Sequence, residues 1–254
     1  MGESGTDVAK NAADMVLADD NFVTIIEAVK EGRHIYDNIK KAVHFSISTN
    51  IGEIVTMFMG LLLGFDIPFV AIQLLWINFV TDSLPGIALG LEPMEKNIML
   101  RKPKRANESL FSGGLWSNII IEGIMIGTLT LFTFAFGKKL FGLPVGRTMA
   151  FFTLSALELV HSFNIKSEES IFQTGIFNNI YLIGAVIVGL ILQTIVIINP
   201  TISKIFDSVP LNGKQWLCTI VISILPIIII ECQKVINNQR FGKVVYMKKA
   251  INRI

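Results

Sequence analysis

The chain has 254 residues, 52% of them hydrophobic and 17% charged, with a mean hydropathy of +0.59, which is too apolar for an ordinary soluble domain of this length. Cys218 and Cys232 stand far apart with no CxxC spacing, so neither a disulfide framework nor a thiolate metal site is indicated. The net charge of +2 calls for no nucleic-acid partner, and its uneven spread along the chain carries information about topology instead.

Residues 1–20, MGESGTDVAKNAADMVLADD, are rich in Gly, Ala and Asp and read as the end of a soluble α/β domain. Gly2 with Thr6 fits the N-myristoylation pattern, a match that Gly-rich starts produce by accident. The first apolar run begins only after residue 40 and lacks a cleavage-site flank, so no secretory signal is expected. Residues 21–41, NFVTIIEAVKEGRHIYDNIKK, interleave Ile25, Ile26, Val29, Ile35 and Ile39 with charges at helical spacing. This predicts a stalk helix running without a break into the first membrane span.

A helix needs about 20 apolar residues to cross roughly 30 Å of hydrocarbon, and six segments qualify: about 42–64, 68–91, 113–137, 148–164, 179–199 and 213–232. A polar loop with Pro93 and Pro103 joins the second span to the third, and Gly and Pro turn signals mark outer loops at 138–147 and 200–212. With a cytoplasmic amino terminus, Lys138, Lys139, Arg147, Lys204 and Lys214 face outward and the other 17 of 22 basic residues stay inside. The positive-inside rule selects that orientation. The expectation is an all-α membrane protein, a six-helix transmembrane bundle over 42–232, with both termini and a basic tail at 233–254 on the cytoplasmic side. Its place is an integral, multi-pass one, in the plasma membrane if the source is bacterial.

Against this apolar background the spans carry acids. Asn50 and Glu53 lie three apart in the first, and Asn78, Thr81 and Asp82 follow the i, i+3, i+4 pattern in the second, inside WINFVTDSLPG; Glu158 lies in the fourth, within TLSALELVHSF. Each carboxylate at the bilayer centre costs about 2.5–3.5 kcal/mol, so three cost roughly 8–10 kcal/mol. No basic side chain in a span offsets this. Protons, water in a cavity or a bound cation must do so, and only a cation explains why Asn and Thr oxygens stand beside the acids. Hard cations such as Ca²⁺ take six to eight oxygen ligands, often carboxylates and backbone carbonyls, and the donor set favours a divalent ion. Pro85 and Gly86 are expected to weaken the second span just after Asp82, freeing carbonyls for such a site. The competing reading, interhelical hydrogen bonding alone, suits Asn50 or Thr81 taken singly better than three acids without a base. Glu122, in IIIEGIMIG, has no polar neighbour at helical spacing and reads as packing or proton-related, His161 as an interfacial histidine, and Met57, Phe58 and Met59 as lipid-facing or core.

These stretches resemble the carboxy-terminal part of a P-type cation-transporting ATPase of the calcium-pump type. MGESGTDVAKNAADMVLADDNF is similar to the end of that family's phosphorylation domain and EGRHIYDNIKK to its stalk, while STNIGEI and QLLWINFVTDSLPGIALGLEP resemble its fifth and sixth membrane helices. After residue 165 mainly hydrophobicity persists. The resemblance implies that Asn50, Glu53, Thr81, Asp82 and Glu158 serve a first calcium site, that Asn78 and Asp82 serve a second, and that Asp82 bridges the two. Asn78 stands where sodium and potassium pumps place another acid, so calcium is preferred over those ions; manganese and calcium–proton exchange stay open. The DKTGT and TGDGVNDAP stretches, a nucleotide-binding domain and four earlier membrane helices are not in the sequence, and no phosphate-binding loop replaces them. ATP and Mg²⁺ are therefore expected only in a complete pump, whose upstream domains are an implied partner alongside the bilayer and the transported cation. A stand-alone cation-binding membrane protein without ATP coupling, or a non-functional fragment, are the alternatives.

Overall fold

The computed structural model describes residues 2–95, 97–103, 108–167 and 175–251, with side chains described as far as Lys234 except that of Ile176. Its helices are α1 (Asp7–Ala12), α2 (Phe22–Leu62), α3 (Ala71–Trp76), a π-helical turn (Ile77–Asp82), α4 (Ser83–Gly90), α5 (Leu115–Phe141), α6 (Leu143–Ile165), α7 (Ile180–Ile198), α8 (Pro200–Ile205) and α9 (Gly213–Ile251). No strand occurs among the described residues. Among the described residues, six helical segments are long and apolar enough to cross a membrane, over Phe22–Leu62, Ala71–Gly90, Leu115–Phe141, Leu143–Ile165, Ile180–Ile198 and Gly213–Lys234. The fold is an all-α membrane bundle.

The segments expected as stalk and first span form one 41-residue helix, started by Asn21, whose side chain accepts from the Val23 N–H. The expected outer loop at 138–147 shrinks to Gly142. Its φ of 91° lies in the left-handed region that glycine tolerates, and Pro144 sits in the first turn of the next helix, where its missing N–H costs nothing. The third and fourth spans thus meet in a tight hairpin, and Lys138 in the last turn of α5 reaches Asp66, between the first and second spans, at 2.6 Å. That contact holds the Asp66 carboxyl below the usual carboxylate range.

Helices gain little from the hydrophobic effect when the solvent is lipid, so close packing and hydrogen bonds must hold them together. Small residues permit this between α2 and α5. A Cβ placed on Gly127 would lie 2.7 Å from the Gly52 carbonyl and from Val55, and one on Gly123 would lie 2.8 Å from the Ser48 carbonyl. Thr56 Oγ1 adds a bond of 3.2 Å to the Gly127 carbonyl. The fourth span, α6, is enclosed by its neighbours, with every residue from Thr148 to Leu159 buried. Phe151, Leu154 and Leu157 anchor the main core together with Phe69, Ile77, Phe134 and Phe206. Phe58 and Met59 face outward, whereas Met57 packs on that core.

The polar loop after the second span is docked on the N-terminal half of α2. Arg33 Nη1 donates to the Ile98 and Arg101 carbonyls at 2.9 Å, Asn38 Nδ2 to the Glu92 carbonyl at 2.9 Å, and Arg101 pairs with Asp37 at 2.7 Å and also with Glu95. Burial raises the Glu95 carboxyl, yet Lys41 at 3.1 Å and Arg101 outweigh it and hold the group below its ordinary value. The end of the second span is thereby fixed to the start of the first.

Candidate cation site

The helical ladder changes pitch where the acid of the second span, Asp82, lies. Over Ile77–Asp82 the backbone adopts a π turn, a form that concentrates at functional sites in other proteins. Ser83 Oγ donates to the Asn78 carbonyl at 3.0 Å, bridging five residues. The irregularity therefore precedes Pro85 rather than following Asp82. Pro85 itself lies within α4, three residues into the resumed α-helix, and its missing N–H removes a donor from the carbonyls of that turn.

Around the π turn the site divides into two linked groups. In one, Asn78 Nδ2 donates to both oxygens of Glu53, at 2.7 and 2.9 Å, and to the Leu74 carbonyl at 3.0 Å. In the other, Thr49 Oγ1 donates to Asp82 Oδ2 at 2.9 Å, and the adjacent Thr81 Oγ1 lies 3.4 Å from Glu158 Oε2. Glu158 and Thr81 are fully buried, and Asp82 and Glu53 are only 8% and 9% exposed. Asp82 Oδ1 and Glu158 Oε1 have no hydrogen-bond partner. Among the described residues none of the three acids forms an ion pair with Lys, Arg or His. A buried negative cluster of this kind requires a proton or cation to balance it.

Of the six residues expected at the site, Glu53, Asn78, Thr81, Asp82 and Glu158 come together. Asn50 is half-buried, and its Nδ2 is engaged by the Ser46 carbonyl at 2.6 Å. Thr49, which the sequence reading omits, occupies the inner position; it stands four residues before Glu53, a spacing that places both on one helix face. Among the described residues, no three His, Cys, Asp or Glu side chains converge into a metal cluster by themselves. Thr hydroxyls, the Asn78 amide and freed carbonyls have to complete any coordination shell here.

Two side chains have partners that helical spacing does not show. His161 is fully buried in the bundle, its Nε2 lying 3.2 Å from Ser48 Oγ and 3.4 Å from Glu122 Oε2. Glu122, without polar neighbours at helical spacing, gains one from another helix, since His44 Nε2 meets its Oε2 at 2.5 Å. Both were invisible to helical spacing because the partners come from other helices, 78 residues away in the case of His44.

Six spans, with an irregular segment flanked by unpaired acids at membrane depth, define a membrane protein of the cation-handling class. A family profile described as cation transporting ATPase, C-terminus, matches residues 66–236, and the chain belongs to that family. It is 43% identical over 252 residues to calcium-transporting ATPase 1 of Bacillus cereus (strain ATCC 10987 / NRS 248), covering 92% of this chain and 28% of that protein. A calcium-transporting ATPase of Bacillus subtilis (strain 168) is 41% identical over 228 residues, covering 89% of this chain and 26% of the relative. For calcium-transporting ATPase 1 of Lactococcus lactis subsp. lactis (strain IL1403) the identity is 39% over 234 residues, covering 91% and 26%. The chain thus spans about a quarter of the length of these curated relatives.

Proposed function

We propose that this chain is the membrane-embedded, cation-binding and translocating part of a P-type calcium-transporting ATPase. The observation that carries the reading is the pair of unpartnered, buried carboxyl oxygens, Asp82 Oδ1 and Glu158 Oε1, offered by two helices in a cluster with no basic side chain. Ca²⁺ suits this donor set because it accepts many oxygens in irregular geometry. Glu53, Asp82, Glu158, Thr81 and Asn50 would serve one ion, and Asn78 with Asp82 a second, with Thr49 fixing the Asp82 carboxylate. Asn78 takes part only by turning its amide, so that Oδ1 rather than Nδ2 meets the cation; which way an amide points is assigned from its hydrogen bonds.

The relatives' names support calcium as the cargo. Exposed polar groups at membrane depth support an incomplete site: Asn78 and Ser83 are open on the outer surface of the second span, although lipid leaves such groups unsatisfied. Upstream pump helices would cover that face. Residues 1–20 would then be the end of the phosphorylation domain, 21–41 the stalk, 42–232 the transport domain and 233–254 a cytoplasmic tail.

The chain reconstituted in lipid nanodiscs is expected to bind ⁴⁵Ca²⁺ weakly but saturably; binding indistinguishable from protein-free nanodiscs would defeat the reading. Reporter fusions fix the orientation independently. Those at residues 104 and 240 should report the cytoplasm and one at 142 the outside, and the reverse pattern would defeat the proposed topology.

A further inference from the structure

Glu122 stands outside the candidate site, on a helix that supplies none of its donors, yet it touches two of the three spans that do. Its Oε2 takes a bond of 2.5 Å from His44 of α2 and lies 3.4 Å from His161 of α6. The two imidazoles meet edge to face, with ring centroids 6.5 Å apart. His161 also approaches Ser48 of α2 at 3.2 Å. One carboxylate and one hydroxyl therefore join the first, third and fourth spans at a single level of the bundle.

That level adjoins the site on both helices. Ser48 precedes Thr49, whose hydroxyl holds Asp82. His161 follows Glu158 by three residues, about 4.5 Å of helical rise. A slip of α6 by one residue would move Glu158 by about 1.5 Å along the axis and about 100° around it, away from Asp82 and Thr81. Apolar packing resists such slips weakly because lipid competes with it, whereas a carboxylate shared by two imidazoles admits one register.

We infer that Glu122, through His44 and His161, is a positioning residue that sets the rotation and height of α6 against α2, and so the separation of Glu158 from Asp82. The inference rests on the cation-site reading above. It assigns Glu122 no direct contact with the ion. Partners that orient metal ligands typically account for about 10–100-fold in metal affinity, and that is the scale expected here.

The test is ⁴⁵Ca²⁺ binding to the full chain in nanodiscs, with Mg²⁺ competition and thermal unfolding measured in parallel. Glu122→Ala should weaken calcium binding by about 10–100-fold and reduce the preference for Ca²⁺ over Mg²⁺. Glu122→Gln keeps an acceptor of the same reach for His44 and should restore most of both. A purely structural clasp would instead lower the unfolding temperature and leave the preference between ions unchanged, which would overturn the inference. Should Glu122→Ala not fold, His161→Phe, which keeps ring volume and removes the bonds to Ser48 and Glu122, gives the same reading. Affinity and ion preference unchanged in both variants, against normal wild-type binding, overturn the inference alone; absence of wild-type binding overturns the site itself.

Discussion

Asp82→Asn is expected to abolish most calcium binding by this chain while making the ion-free protein more stable. The two effects have one cause. A carboxylate at membrane depth costs about 2.5–3.5 kcal/mol, and Asp82 Oδ1 recovers none of that through a hydrogen bond. Removing the charge should therefore raise the unfolding temperature. Affinity should move the other way, by about two to three orders of magnitude within the wide range that calcium sites span as ligand charge and rigidity vary. Glu158→Gln should show the same signs with a smaller loss of affinity, because Asp82 is read as bridging two ions and Glu158 as serving one. Calorimetric or fluorescence unfolding combined with ⁴⁵Ca²⁺ titration separates the outcomes. Equal losses in the two variants would contradict the two-site assignment, and destabilisation by both would mark the acids as interhelical glue.

A polypeptide of residues 1–254 is expected neither to hydrolyse ATP nor to form a phosphoenzyme. Covalent phosphoryl chemistry needs a carboxylate beside Mg²⁺ and a positioned nucleotide. The acids ahead of the stalk serve local structure instead: Asp20 Oδ2 accepts from the Ser4 N–H at 2.8 Å, and Asp19 Oδ2 accepts from Thr24 Oγ1 at 2.6 Å. The Ser4 hydroxyl, with the Ser4 N–H, holds the pKa of the Asp20 carboxyl at about 2, below its ordinary value. Supplying upstream pump domains as a separate polypeptide should restore calcium-stimulated, vanadate-sensitive ATPase activity, since the face bearing Asn78 would gain its cover. The same activity in residues 1–254 alone would refute the claim that the motor lies elsewhere.

Hydropathy and residue spacing were enough to read the architecture, because a membrane span must satisfy its backbone within one helix and so leaves a long apolar run. The acids were legible for the complementary reason: Glu53, Asp82 and Glu158 interrupt that run at a cost. What escaped depends on geometry between helices. Pro85 marked the irregular helix, but the pitch change falls upstream of it at Ile77–Asp82. Thr49 was within reach of helical spacing from Glu53, whereas Asn50 was favoured by a spacing of three that the Ser46 carbonyl draws to another partner. Nothing local could pair Glu122 with His44 or bury His161. The hairpin at Gly142 was hidden because Lys138 and Arg147 looked like loop residues, although their long side chains let helical backbone continue beneath charged ends.

The most direct test maps which carboxyls a cation covers. Carbodiimide labelling of the nanodisc-embedded chain, with and without Ca²⁺, can be read by peptide mass spectrometry. Calcium is predicted to suppress labelling at Glu53, Asp82 and Glu158 together and to leave Glu122 unchanged. Equal labelling of those three acids in the presence and absence of Ca²⁺ would contradict the account.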